Sequence, residues 1–89
     1  MIKKNSITFA VWKGDPRLQI QLEPEAISFT VNPGEELTFA VTNPSHEFSW
    51  TIRHEQDGIQ LFPETLGKYE RIEMFRNGTA STELDFLYE

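Results

Sequence analysis

The sequence predicts an all-β fold, an antiparallel β-sandwich of seven or eight strands. Three observations predict it. Apolar and polar residues alternate with a period of two along most of the chain, turn-forming residues break that alternation at short and regular intervals, and no apolar stripe of helical period competes. Successive strand side chains point to opposite faces. A strand with one apolar and one polar face therefore belongs to an antiparallel sheet that covers a core on one side.

The elements follow in order. Residues 7–12 form the first strand, with Ile7, Phe9 and Val11 on one face. Gly14-Asp15-Pro16 separates it from residues 17–22, where Leu18, Ile20 and Leu22 alternate with Gln19 and Gln21. These two strands are expected to pair as an N-terminal hairpin. Glu23-Pro24-Glu25 turns into residues 26–31, with Ile27, Phe29 and Val31 inward, and Asn32-Pro33-Gly34 turns into residues 36–43, with Leu37, Phe39 and Val41 inward. Asn43-Pro44-Ser45-His46 is a loop, because Pro44 has no N–H for a ladder and biases Asn43 away from the helical region. Phe48, Trp50 and Ile52 mark the next strand, and residues 59–62 another. Asp57-Gly58 and Asn77-Gly78 are hairpin turns of type I′, which needs positive φ at both central residues. The best helical stretch, residues 63–71, is interrupted by Gly67. In residues 69–75, Ile72 and Met74 oppose Tyr69, Arg71, Glu73 and Phe75, and either face suits a core. Leu84, Phe86 and Tyr88 alternate through residues 82–88, the expected final strand.

The chain of 89 residues makes a single domain, residues 1–89, long enough for one core. An apolar share of 38% with seven Phe, two Trp and two Tyr argues against disorder. The chain has no cysteine, so disulfides, thiolate nucleophiles and cysteine-ligated metals are excluded. No apolar run suits a signal peptide or a membrane span, and a reducing cytoplasm is the expected location. The net charge is −6, and every acidic group except Asp15 lies beyond residue 17, whereas Lys3, Lys4, Lys13 and Arg17 lie at or before it. So acidic a body repels phosphates, which excludes nucleic acid as an expected partner and favours a basic one.

From about residue 26 onward the chain resembles bacterial immunoglobulin-like and fibronectin-like β-sandwich domains. The stretch Asn32-Pro33-Gly34-Glu35-Glu36-Leu37-Thr38-Phe39-Ala40-Val41-Thr42-Asn43-Pro44 looks like the turn and second strand of such modules. Phe48-Ser49-Trp50 looks like the third strand, with Trp50 in the core, and Leu66-Gly67-Lys68-Tyr69 resembles the tyrosine corner. The resemblance covers about two-thirds of the chain and implies a fold rather than a function. Only residues 57–68 lie between the third strand and the corner, which leaves room for one strand where that fold has two or more, so a non-standard topology is expected.

Few residues offer chemistry. His46 and His54 lie eight residues apart, about 26 Å of extended chain, too far to share one ion. Ser45-His46 lacks a nucleophile elbow, the paired glutamates read as solvated turn flanks, and the glycines are scattered singly rather than gathered in a phosphate loop. Neither catalysis, nor a metal, nor a cofactor is expected. Binding remains. The loop of residues 43–47 and the tip of residues 76–79 are expected at one end of the sandwich, where this fold places recognition loops. Trp12 is expected to face outward beside Lys13, as an interface anchor or a stacking platform for a sugar ring. The candidate contact residues are Trp12, Lys13, Asn43, Ser45, His46, Arg76 and Asn77. The expected function is a non-catalytic protein-interaction module, an adaptor, inhibitor or immunity-type protein. The alternative is a carbohydrate- or small-ligand-binding sandwich, and self-association through an edge strand is a further possibility.

Overall fold

Eight strands and a short C-terminal 3-10 helix build two packed sheets in the computed structural model, which describes residues 4–45, 47–65, 67 and 69–88. The strands are β1 (Lys4–Ala10), β2 (Leu18–Leu22), β3 (Ile27–Val31), β4 (Glu36–Thr42), β5 (Ser49–Glu55), β6 (Gly58–Glu64), β7 (Ile72–Arg76) and β8 (Thr79–Ser81). One sheet has the order β1-β4-β7-β8 and the other β3-β2-β6-β5. Among the described residues no helix is long and apolar enough to cross a membrane.

Alternation becomes burial as expected. Leu37, Phe39 and Val41 of β4, Ile20 and Leu22 of β2, Phe29 and Val31 of β3, Ile59 and Leu61 of β6, and Ile72 and Met74 of β7 all point between the sheets. The central strands β4 and β2 lose nearly all solvent contact on that face, while their other faces carry Thr38 or Gln19 and Gln21.

The pairing departs from expectation at both ends of the chain. β1 and β2 form no hairpin. β1 pairs with β4 (Asn5 opposite Val41, Phe9 opposite Leu37), and β2 lies in the other sheet, antiparallel to β3 and parallel to β6. Val11 explains the crossing. It is buried, its N–H donates to Glu35 O at 3.1 Å, and its carbonyl accepts from Gly34 N–H at 2.7 Å. The chain therefore stays locked to the β3–β4 turn before it changes sheet, and a direct β1–β2 turn is barred. At the other end, residues 82–88 form no strand. β8 stops at Ser81, and Asp85–Tyr88 is 3-10 helix. Asp85 N–H reaches Thr82 O and Leu87 N–H reaches Leu84 O, which drops Leu84 into the core and leaves Phe86 exposed. The Tyr88 hydroxyl then accepts from Ile72 N–H at 2.8 Å, taking the place of the ladder bond that a longer β8 would have made. Arg71 stacks on the Tyr88 ring, 4.3 Å from its centroid, and donates to Asp85 at 2.8 Å.

The turns largely match their sequences. Pro33 and Gly34 occupy the centre of a type II turn, with Gly34 at φ 88° and Glu35 N–H bonded to Asn32 O at 3.0 Å. Asn77 and Gly78 both have positive φ, as a type I′ hairpin requires. The β5–β6 hairpin closes through Gln56 and Asp57 instead, with Glu55 opposite Gly58, and neither Asp57 nor Gly58 has positive φ. Gly58 serves proximity: a Cβ there would lie 2.2 Å from the Gln19 carbonyl oxygen on the neighbouring β2. Gly58→Ala is therefore expected to destabilise the domain by about 1–3 kcal/mol, as overpacking against a fixed backbone does. A chemical-denaturation midpoint equal to wild type would show that the β2–β6 contact is looser than this.

Candidate interaction surface

Trp12 and Lys13 sit where β1 leaves its sheet. Asp15 N–H bonds to Trp12 O at 3.0 Å and closes a turn over Lys13 and Gly14. That turn lies against the Asn32-Pro33-Gly34-Glu35 turn, because the Lys13 stem runs alongside Gly34 and because Val11, the residue before Trp12, bonds to both Gly34 and Glu35. The second turn is tightened by Asn32 N–H donating to the Glu35 carboxylate at 2.8 Å. Trp12 stands on this doubly braced base at 77% exposure, the most exposed large apolar side chain among the described residues. Its outward orientation follows from the parity that buries Val11. A shallow depression of about 330 Å³ beside it is lined by residues that include Val11, Lys13, Glu35 and Glu36.

Arg76 and Asn77 come to the same end of the sandwich, since Leu37 at the start of β4 pairs with Arg76 and Ala10 pairs with Glu36. Their side chains are engaged by the fold. Asn77 Oδ1 accepts from Glu36 N–H at 2.9 Å while Asn77 N–H donates to Glu36 O at 3.0 Å, so the hairpin tip is fastened to β4. Arg76 donates through Nε and Nη2 to both oxygens of Glu83, at 2.6 and 3.1 Å, and through Nη1 to Thr30 O at 3.2 Å. It joins β7 to the segment after β8 and to the opposite sheet.

Asn43 and Ser45 lie at the other end. β4 runs from Glu36 to Thr42 against an antiparallel β7, so the loop after Thr42 and the tip after Arg76 are separated by the length of the strand. The expectation that these loops cluster is thus corrected: antiparallel pairing of β4 with β7 forbids it. Asn43 Nδ2 donates to Glu70 at 3.1 Å, and Ser45 is exposed. His46 lies outside the described residues, as do Leu66 and Lys68 of the tyrosine-corner motif. Tyr69 itself is half-buried with its ring edge-on to Phe48 at 5.6 Å.

Sequence reasoning passed over two exposed apolar groups, Ile52 on β5 and Phe86 on the 3-10 helix. For Phe86 a signal existed: Leu84 and Leu87, three apart, suit one face of a 3-10 turn and turn Phe86 away from it. Among the described residues no three of the His, Asp and Glu side chains gather as ion ligands would.

The bond with Arg76 holds the Glu83 carboxyl below its ordinary value, partial desolvation opposing it and Ser81 assisting. The same bond raises the Arg76 guanidinium above its own ordinary value. A carboxyl whose folded value is depressed adds stability that is complete above the ordinary glutamate range and is lost as pH falls through the folded value. Glu83→Gln is therefore expected to cost about 0.5–1 kcal/mol near neutral pH, the range for a partly exposed pair screened by solvent. The gap from wild type should close in strong acid. Urea midpoints at several pH values measure this, and a gap that persists unchanged in acid contradicts the assignment.

Comparison with protein-family models, with curated proteins and with solved structures finds no match for this chain.

Proposed function

We propose that this chain is a non-catalytic protein-interaction module whose contact surface is centred on Trp12 and Lys13. One observation carries the reading: Trp12 is 77% exposed on a turn braced by its own closing bond and by the adjoining β3–β4 turn. A large aromatic on an ordered turn needs little backbone ordering on binding and buries much area, which is why such residues anchor interfaces. Lys13 lines the same depression as Glu35 and Glu36, so the patch carries both signs around an apolar centre. The partner that suits it is a protein with an apolar pocket, and the net charge of −6 favours one that is basic. Adaptor, inhibitor and immunity-type roles share this surface chemistry. Kinship with immunoglobulin-like domains belongs to the same proposal. Trp50 and Tyr69, packed on either side of Phe48, support it, and the placing of β1 and β2 in separate sheets weighs against it.

The second reading, stacking of a sugar ring on Trp12, draws on the same exposed face with carboxylates close by to accept hydroxyl bonds. A photo-crosslinking amino acid placed at position 12, with position 8 on the outer face of β1 as control, separates the two in cells of the source organism. The protein reading expects one adduct of defined mass from position 12 and none from position 8. Equal labelling from both positions, or no protein adduct, removes it. Saturable quenching of the Trp12 fluorescence by glycans would then support the sugar reading.

A further inference from the structure

We propose that β5 is a self-pairing edge: two copies of this chain join antiparallel along β5, centred on Ile52, and continue the β3-β2-β6-β5 sheet across a two-fold axis. The direction of the backbone groups comes first. On β6, the Leu61 carbonyl accepts from Glu23 N–H at 2.9 Å, on the side away from β5. Leu61 lies opposite Ile52. Hydrogen-bonded and non-hydrogen-bonded pairs alternate along an antiparallel ladder, so Ile52 forms a non-hydrogen-bonded pair with Leu61. Pro63, which has no N–H, lies opposite Trp50 in the same phase. The N–H and C=O groups of Trp50, Ile52 and His54 therefore point to the open edge.

The other three edges carry devices that oppose pairing. β8 has three residues, and the 3-10 helix covers β7 beyond it. On β3 the Thr30 carbonyl is taken by Arg76. β1 begins with Lys4, which reaches over Phe75 and toward Glu73 on its own sheet. β5 spans seven residues without lysine or proline. On its inner face Trp50, Ile52 and His54 continue the row of Leu61 and Ile59, yet Ile52 is 43% exposed and His54 is exposed as well. An inward-facing apolar side chain thus lacks a cover.

A second copy supplies that cover. With Ile52 opposite Ile52 of the second copy, Trp50 meets its His54 and His54 meets its Trp50. All the outward backbone groups then find partners, about six hydrogen bonds. Moving the axis by one residue leaves about four, and one of those shifts sets Arg53 directly against Arg53 of the second copy, a destabilising like-charge pair. In the Ile52 register Arg53 opposes Thr51 and Glu55 opposes Ser49, so no like charges face each other. Charge favours this strand too. Arg53 and Glu55 pair at 3.6 Å, so their charges cancel on a chain of net charge −6 and do not oppose the meeting of two copies along β5. A closed two-fold is also the commonest form of self-association.

Sedimentation of the full chain tests this across a wide concentration series. Wild type should reach twice the 10.3 kDa chain mass, and Ile52→Lys should stay at the chain mass with an unchanged circular dichroism spectrum. Because the chain has no cysteine, Ile52→Cys provides an independent readout. The register brings the two Cα atoms to about 5.5 Å, within disulfide range. Mild oxidation should therefore link Ile52→Cys chains to each other and leave Thr8→Cys chains largely unlinked. A wild type that stays monomeric at its solubility limit overturns the proposal, as does a dimer that survives Ile52→Lys. A monomer whose Trp50, Ile52 and His54 amide resonances shift on adding an extended peptide would make a foreign strand the occupant, and would equally overturn it.

Discussion

Phe39 stands at the centre of β4 with no solvent exposure, and three rings close around it. Phe9 of β1 meets it edge-on at 6.4 Å, Phe29 of β3 at 5.6 Å, and Trp50 of β5 is tilted against it at 6.5 Å. β3 and β5 are the two edges of the opposite sheet, so one side chain spans that sheet's full width. No disulfide ties the layers together, and their alignment rests on such contacts, each aromatic pair worth about 0.5–1.5 kcal/mol beyond the area it buries. The ring chain continues from Trp50 through Phe48 to Tyr69 and carries the core into the segment between β6 and β7. At the same side Asn5 binds both Trp50 Nε1 and the Phe48 carbonyl, at 2.9 Å each, pinning the start of β1 to the start of β5.

The polar residues divide between closing the fold and leaving it open. On the outer face of the β3-β2-β6-β5 sheet, Thr30 bonds to Gln19, Gln21 and Gln60 both bond to Glu23, and Arg53 bonds to Gln60, so the carboxylates there are largely engaged by neighbours. Arg76 and Asn77 close the end nearest β4's beginning. Two of the exposed apolar groups stand on distinct surfaces: Trp12 above its braced turn, and Ile52 on the long edge. These two surfaces differ in kind. One offers a protruding ring on a hydrogen-bonded turn, the other a row of backbone donors and acceptors, and a single domain can use both without competition for the same atoms.

Much of this was legible in the sequence. Period two survives translation into structure wherever one face of a strand is buried, as in Leu37-Thr38-Phe39 or Leu18-Gln19-Ile20, and the two packed sheets follow from it. Pairing partners are not legible that way, because alternation states which face is buried and not which strand lies alongside. Hence β1 and β2, adjacent in sequence and separated by turn residues, read as a hairpin although Val11 holds β1 to β4. Leu84-Asp85-Phe86-Leu87-Tyr88 misled differently: its alternation suits a strand, while the spacing of Leu84 and Leu87 suits the 3-10 turn that forms. For the contact surface, parity alone exposed Trp12. Arg76 and Asn77 looked available because their partners, Glu83, Thr30 and Glu36, are set by tertiary contact. Ile52 looked buried because its parity is inward, and nothing local reveals that the facing sheet leaves it uncovered.

The parallel pairing of β2 with β6 sets the order in which the chain can be assembled. Ile20 waits for Ile59, and in the other sheet Asn5 waits for Val41, which in turn waits for Ile72. The β2–β3 hairpin can close early, since its partners are neighbours in sequence. Neither sheet is complete, however, until the final third of the chain has been synthesised, and loop closure over such spans makes folding slow relative to a string of hairpins. During that interval the nascent N-terminal half carries unpaired strand edges and the bare rings of Phe9, Phe29 and Phe39. Late arrival of β6 and β7, more than any weakness of the finished core, makes translation the stage at which this domain is most exposed to misassembly.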